Sequence, residues 1–520
     1  MASFRTVVPL MVVIGVVLMT SQPDAQDAWA PMDAKAVLQG VVKNMGGDVV
    51  RTVEITGTGY ISEVGQNSIP GFDWPQYDVT AYTKAIDYGA RSSSERITRR
   101  RGDPRRLGGG ARIDGEQQLQ RFSNDRYAWN VQGNATTPLL PTPAEIRQLD
   151  IWVMSPHGFL KAAMAAKDLT AHRRPARAAP RTQGDKPQTV LSFTIGKYKI
   201  DGFLSEDNLL VDRVRTWVAN PVLGDMTYEI EFRDYKDFGG LKYPGIIHQH
   251  QGDGRPVKEA ELAWHGARDA YNIEITKVQT NIAVPAIGVP ETVKQAAVAP
   301  VRVDVRKLAD GVWFMGGGEL NSVAVEFSDF IAVIEAPIDE ARSIAVINEV
   351  HKAIPRKPIK YIVNTHHHFD HAGGLRTYLA EGAVVITQKE NLEFYETVFL
   401  TLMPRTMQPD RMSLENDWMR PTFEVVNQQY SLTDGTGGRI LELYKTGGHS
   451  TNMLMAYLPK VKILVEADLY MPRGPQALAP KNFVQMVQRQ GLDVQQVVSL
   501  HGPVTQWSEV IASIGKTASN

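Results

Sequence analysis

The sequence has no cysteine anywhere in its 520 residues. Disulfides and thiolate metal ligands are therefore excluded, and any metal site must be built from histidine and carboxylate. An excess of charge of either sign is also missing. The formal net charge is −1, so neither nucleic acid nor an anionic membrane surface is an expected partner. Long apolar runs are lacking too. The stretch Thr6 to Met19 is broken by Pro9 and Gly15, and it falls short of the roughly 20 apolar residues that a membrane-spanning helix needs.

That short stretch has another use. Met1 to Arg5 carries one positive charge, Thr6 to Met19 is apolar, and Thr20 to Asp27 is polar. The order is that of a secretory signal peptide, taken as residues 1–28, with the mature chain beginning between Ala25 and Met32. A periplasmic or secreted protein is expected, with no stable membrane span after cleavage. With no cysteine near the cut, a lipoprotein anchor is excluded.

Residues 33–283 read as a β-rich domain. Val49 to Ser62, Tyr77 to Ile86, Glu116 to Val131, Val190 to Ile200, Leu209 to Val218, Met226 to Tyr235 and Lys242 to Gln251 are rich in β-branched and aromatic residues. Pro143 to Asp168 reads as helical. Arg96 to Arg112 and His172 to Lys186 read as basic, solvated loops, because no aromatic residues interleave with their charges. His248-x-His250 would share one strand face, but no third ligand lies nearby in sequence. Residues 284–300, rich in Ala, Val and Pro, read as a linker.

From Val301 strands alternate with helices. Val301 to Leu308, Val312 to Met315, Ser322 to Phe327 and Phe330 to Glu335 read as strands, with Ser328-Asp329 as a hairpin turn. Asp339 to Ile354 has apolar residues at helical spacing (Ile344, Ile347, Val350, Ile354). Ile359 to Asn364 is a short strand that leads into Thr365-His366-His367-His368-Phe369-Asp370-His371. In a tight loop His366 and His368 can grip one cation while Asp370 and His371 face a second. Neutral imidazoles suit Zn²⁺, and carboxylate lowers the net charge of a two-metal site. Three further polar groups stand at the ends of apolar strands: His449 after Gly447-Gly448, Asp468 after Ala467, and His501 before Gly502. Core packing does not explain that pattern.

Residues 301–516 resemble the metallo-β-lactamase superfamily, on Thr365-His366-x-His368-x-Asp370-His371, Gly448-His449, Ala467-Asp468 and His501-Gly502 in that order. The resemblance implies an α/β fold, a four-layer αββα sandwich. It assigns a first metal to His366, His368 and His449, and a second to Asp370, His371 and His501, with Asp468 bridging. Glu466 is the competitor of Asp468, and strand alternation puts both on one face. Thr365 is a candidate for a hydroxyl behind the ligands, and the side chain of His367 should point away from the metals. The implied cofactors are two Zn²⁺, with Fe or Mn accepted by the same donors. Two such ions would share a water and lower its pKa toward ~7. The hydroxide would attack the substrate while Asp370 orients it.

The N-terminal region resembles LolA/LolB-like lipoprotein carriers in Tyr228-x-x-x-Phe232-x-Asp234-Tyr235-Lys236 and Gly240-Leu241-Lys242-Tyr243-Pro244. That resemblance implies a mainly antiparallel, open half-barrel sheet able to hold an apolar ligand. The expected activity is a secreted di-metal hydrolase acting on an ester, lactone or amide, β-lactams included. The substrate is a small molecule, apolar if the N-terminal sheet takes part in holding it. The segment between His371 and His449 has no room for the inserted domain of nucleic-acid-processing members, and no flavin motif follows. The alternative is a periplasmic lipid- or envelope-binding protein with a secondary hydrolase domain. Every group needed for bond cleavage is expected within 301–520. The Met- and aromatic-rich segment Asn391 to Phe423 is expected either to cover the metals or to pack as a helical pair.

Overall fold

A computed structural model describes residues 30–47, 49–102, 109–110, 113–174, 187–252, 268–400, 405–415, 421–434, 438–471 and 480–514. The expected signal peptide, Arg105, Arg106, Met403, Trp418 and Met419 lie outside them.

The N-terminal strands form a fourteen-stranded sheet among the described residues, and every neighbouring pair is antiparallel. Ala30–Met32 lies at one edge and Ala135–Pro138 at the other, so the sheet is open and no closed barrel forms. Three helices, Ala34–Met45, Pro141–Val153 and Pro156–Ala165, touch strands across its width. Leu38, Val41, Leu149, Ile151, Phe159 and Leu160 are buried between helices and sheet.

Five local expectations differ from the structure. Glu116 to Val131 and Val190 to Ile200 are each hairpins rather than single strands, because Asp125-Arg126 and Gly196-Lys197 turn the chain; Asp125 and Gly196 both have positive φ. Pro143 to Asp168 is two helices, broken where Ser155 caps the second. The helix Ala34–Met45 was not expected. Its N-cap, Asp33, accepts from the amides of Lys35 and Ala36. The basic run begins inside a strand, Ser92–Arg101, rather than in a loop. Cross-strand partners make this tolerable: the Arg99 guanidinium lies 4.5 Å from the Tyr77 ring centre, and Arg100 pairs with Asp78 at 3.5 Å.

The C-terminal strands form two further sheets. The seven-stranded one runs antiparallel from Asp304–Ala309 to Ile331–Ile334, then parallel through Ile359–Val363 and Val384–Gln388 to Phe423–Val426. The six-stranded one spans Gln429–Thr433 to Val504–Gln506. Val325, Ile334, Val363, Leu443, Val465 and Val498 pack between the two sheets. Helices Glu340–Ala353 and Leu375–Ala380 cover the outer face of the first sheet, where Val346, Val350 and Tyr378 are buried. Helices Pro480–Arg489 and Trp507–Ser513 cover that of the second, through Phe483, Val487 and Val510. This is the expected αββα sandwich.

The two halves of the chain share packing. One apolar cluster joins Tyr77, Phe159 and Ile247 of the N-terminal part to Met315, Val333 and Ile362 of the sandwich. Arg405 donates to the carbonyls of Pro221 and Val222 at 3.0 and 2.8 Å. The chain from 281 to 303 is also fastened: Asn124 donates to the Ile287 carbonyl at 2.6 Å, and Val293 is buried.

Candidate metal centre

The four polar strand-end segments meet at one edge of the sandwich. The strand Ile359–Val363 delivers the chain to Asn364, which is fully buried and ties down the histidine loop beyond it. Its amide donates to the carbonyls of His366 and His371 at 2.7 and 3.3 Å, and its oxygen accepts from the Tyr395 hydroxyl at 2.6 Å. A short helix, Phe369–Ala372, then lifts Asp370 and His371 toward the rings before them. Gly374 must be small, since a Cβ there would stand 1.9 Å from the Ser343 hydroxyl.

His366 Nε2 and His449 Nε2 lie 2.9 and 3.0 Å from His368 Nδ1. A second trio lies beside the first. His371 Nε2 is 3.0 Å from His501 Nε2 and 3.4 Å from Asp370 Oδ2. The Asp468 carboxylate stands between the trios, with Oδ2 2.9 Å from His371 Nε2 and Oδ1 3.1 and 3.6 Å from His501 and His449. All seven residues singled out from the sequence are thus brought together: His366, His368, Asp370, His371, His449, Asp468 and His501.

The donor set fits a pair of cations. Tetrahedral Zn²⁺ with Zn–N of about 2.0–2.1 Å spaces its ligand atoms about 3.3 Å apart, close to the separations within each trio. Asp468 Oδ2 is buried without a hydrogen-bond partner of good geometry. Imidazole nitrogens aimed at one another from three strand ends cannot all be satisfied by mutual hydrogen bonds, whereas a cation satisfies them together.

Groups behind the ligands fix which nitrogen faces inward. Glu335 Oε2 accepts from His371 Nδ1 at 2.9 Å and also from the Thr365 hydroxyl. Thr365 Oγ1 in turn accepts from His366 Nδ1 at 3.1 Å. The Nε2 lone pairs of His366 and His371 are thereby left for the centre. Glu335 is fully buried at φ 75°. It follows directly on the apolar strand Ile331–Ile334, the same signal that marks Asp468 and His501, and so lies past the strand rather than within it as expected. Thr365, the candidate hydroxyl, lies between Glu335 and His366. His367 points away, its Nε2 donating to the Asn67 carbonyl at 3.0 Å.

Asp468 and Glu466 part company. Asp468 leaves the strand with φ 60°, which breaks the alternation expected to keep the two on one face. Glu466 Oε2 instead accepts from the amides of Leu469 and Tyr470 at 2.9 and 3.0 Å. Burial pushes its carboxyl up to about 8, against those amides and with the help of Asp468. Glu466 is thus turned to the backbone, and Asp468 is the carboxylate at the centre.

Charge is distributed unevenly. Burial, with the rings of His371 and His368 adding, holds His366 well below the usual imidazole range. His449 is lowered by burial against the pull of Asp468. Burial would also lower His371, but Asp370, Asp468 and Glu335 outweigh it and raise that ring well above its ordinary value. Three carboxylates that draw a proton to this corner would equally draw a divalent cation. Burial would raise Asp468, yet His449 and His371 keep it well below the carboxylate range.

The segment Asn391 to Phe423 packs as helices over its described part. Tyr395 is fully buried, and Phe399 and Met412 nearly so. Its described part supports the loop from behind through Tyr395, whose hydroxyl donates to Asn364.

The match to a family model agrees with this architecture. Residues 315–481 match the metallo-β-lactamase superfamily, and the C-terminal part of the chain is a metallo-β-lactamase-type domain. The match includes six of the seven clustered residues and stops short of His501. Two solved structures match part of the chain. One is a metallo-β-lactamase from Pontibacter korlensis, with 20% identity and TM-score 0.32, covering 42% of this chain and 100% of that one. The other is the metallo-β-lactamase FIM-1 from Pseudomonas aeruginosa in its mono-zinc form, with 23% identity and TM-score 0.31, covering 42% of this chain and 97% of that one. None of the curated proteins matches this chain.

Proposed function

We propose that the chain is a metal-dependent hydrolase that holds two ions, Zn²⁺ in the simplest case, and cleaves an ester, lactone or amide, β-lactams included. The observation that carries the reading is a pair of three-residue donor sets sharing one buried carboxylate, Asp468. His366, His368 and His449 would hold one ion, and Asp370, His371 and His501 the other. When bound, such ions supply Lewis acidity: they make water a nucleophile near neutral pH and polarise the bond to be cleaved. The chain's own groups do the rest. Thr365 and Glu335 hold the protons of His366 and His371 at Nδ1, away from the reaction. Asp370 is the most exposed of these carboxylates, with 32% of its side chain accessible. It would orient the attacking water. No serine or cysteine nucleophile is required.

The family alone does not choose the substrate. A panel of lactams, lactones, aryl esters, phosphodiesters and alkyl sulfates, run with and without chelator, tests the reading. Chelator-sensitive turnover of an ester, lactone or amide is expected, with close to two metal ions per chain by elemental analysis. Trace metal after incubation with Zn²⁺ would overturn it.

We also propose export to the periplasm or medium, on the order of charge and apolarity in residues 1–28. N-terminal sequencing should find a start between Ala25 and Met32. Among the described residues no helix is long and apolar enough to cross a membrane. A lipid-carrying role has less support, because helices fill the face of the N-terminal sheet that would hold the lipid.

A further inference from the structure

Between the strands Thr52–Ser62 and Gln76–Asp87 the N-terminal sheet extends a loop, Glu63 to Pro75, that reaches the metal centre. The loop is closed at its base by the Glu63 amide on the Pro75 carbonyl at 2.9 Å. Inside it, the Asn67 side chain donates to the carbonyls of Ile69 and Phe72 at 2.8 and 3.1 Å, so its shape is set from within. At its tip the Gln66 amide donates to Asp370 Oδ1 at 2.8 Å, which leaves Oδ2 directed at His371 and His501. The next carbonyl, that of Asn67, accepts from His368 Nε2 at 2.9 Å. That bond holds the proton at Nε2 and turns the Nδ1 lone pair toward His366 and His449.

Several contacts anchor the loop to the sandwich. The Phe369 amide donates to the Gly65 carbonyl at 3.2 Å, and the Thr451 amide to the Ser68 carbonyl at 3.0 Å. Trp74 meets the Phe369 ring edge-on at 5.6 Å. Gly109 completes the cover. Its amide donates to the Gln66 carbonyl at 2.8 Å, and a Cβ there would stand 2.0 Å from His368 Cε1 and 2.7 Å from His449 Nε2.

The cover is one-sided. His366 and His368 are fully buried and the His449 side chain is 10% accessible. At the other trio His501 and Asp370 keep 22% and 32%.

We propose that this loop is a fixed roof over the first metal position and that Gln66 and the Asn67 carbonyl are positioning groups for the second and first metal respectively. The N-terminal sheet is on this view part of the metal centre, and the Asp370–His501 edge is the side left open. The proposal rests on the di-metal reading. It departs from the expectation that 301–520 holds every group the centre needs.

The test follows metal loss from the full-length, Zn²⁺-loaded protein into excess chelator, with zinc read by elemental analysis and folding by thermal melting. Wild type should lose one ion quickly and one slowly, and His501→Ala should retain only the slow one. Gln66→Ala should speed the fast phase alone, by roughly ten- to a hundredfold. Asn67→Ala, which unfastens the loop from within, should speed both phases, because Gln66 and the Asn67 carbonyl ride on the same loop. Gly109→Ala, which pushes a methyl group against His368 and His449, should speed the slow phase alone, while Gly40→Ala, where a Cβ meets nothing within 4 Å, should match wild type. If wild type takes up two ions but releases them in one phase, or if folded Gln66 and Asn67 variants release them like wild type, the roof is wrong and the di-metal reading survives. If wild type binds no metal, both fall.

Discussion

His248-x-His250 and His366-x-His368 share one spacing and opposite surroundings. The first pair lies within the strand Lys242–Gly252, its backbone committed to the ladder. Its rings meet Asp269 of the neighbouring strand, His248 Nε2 at 3.0 Å and His250 Nδ1 at 3.2 Å, while His248 Nδ1 meets Asn272 at 2.9 Å. Both nitrogens of His248 are therefore engaged. Burial would lower this ring, but Asp269 and Asn272 outweigh it and raise it. The second pair stands just past a strand end, where the loop is free to turn both rings inward. Burial and neighbouring rings lower it. His248 is built to keep a proton, and His366 to offer a lone pair. What separates them is the position of the motif relative to the end of its strand.

The sharpest test is substitution in each pair. His366→Ala should lower kcat/KM by on the order of a thousandfold or more and remove an ion, while His248→Ala should leave both nearly unchanged. Elemental analysis beside steady-state kinetics checks this, and equal damage from the two would erase the contrast. A smaller effect is expected from Glu335→Gln, which keeps the size of the group behind His371 and Thr365 but removes its charge. Metal affinity should fall roughly ten- to a hundredfold, as measured by competition with a chromophoric chelator, with the melting temperature of the metal-free protein little changed.

The metal motif was legible because its chemistry confines the ligands to a few alternating positions and to strand ends, both visible in the letters. Asp468 was legible for the same reason. Its separation from Glu466 was not, since it depends on a left-handed backbone at one residue. Glu335 carried the strand-end signal without a histidine beside it. Gln66 and Asn67 carried none, because their role arises only when a loop some 300 positions away in the chain (|i−j| of 304 and 301) is folded against the motif. The third ligand-like group near His248 was hidden likewise: Asp269 is brought there by sheet pairing. The basic strand was misread because its neutralising partners, Asp78 and Tyr77, lie on an adjacent strand.

Smaller effects probe His248. A raised His248 contributes stability that is complete below its unfolded value near 6.5 and is lost as pH rises through the folded value above it. His248→Gln should therefore destabilise the protein by about 1 kcal/mol at pH 6 and by less at pH 9, read from urea titrations at both. A loss that grows with pH would reverse the assignment. Least affected should be His367→Ala. This ring lies inside the metal motif yet turns to the Asn67 carbonyl, so metal content should stay at the wild-type level and kcat/KM should change a few-fold at most. Loss of an ion would mean that the loop presents the wrong ring.

The apolar cluster that passes from the N-terminal helices into the first sandwich sheet bears on how the protein comes apart. A protease that nicked the backbone between Ala283 and Pro300 would cut a covalent thread but leave Val333 and Ile362 in one cluster with Phe159 and Ile247, and Arg405 still seated on the Pro221 and Val222 carbonyls. The two pieces should migrate together on a sizing column and part only in denaturant. They would behave as halves of one body, not as modules on a tether.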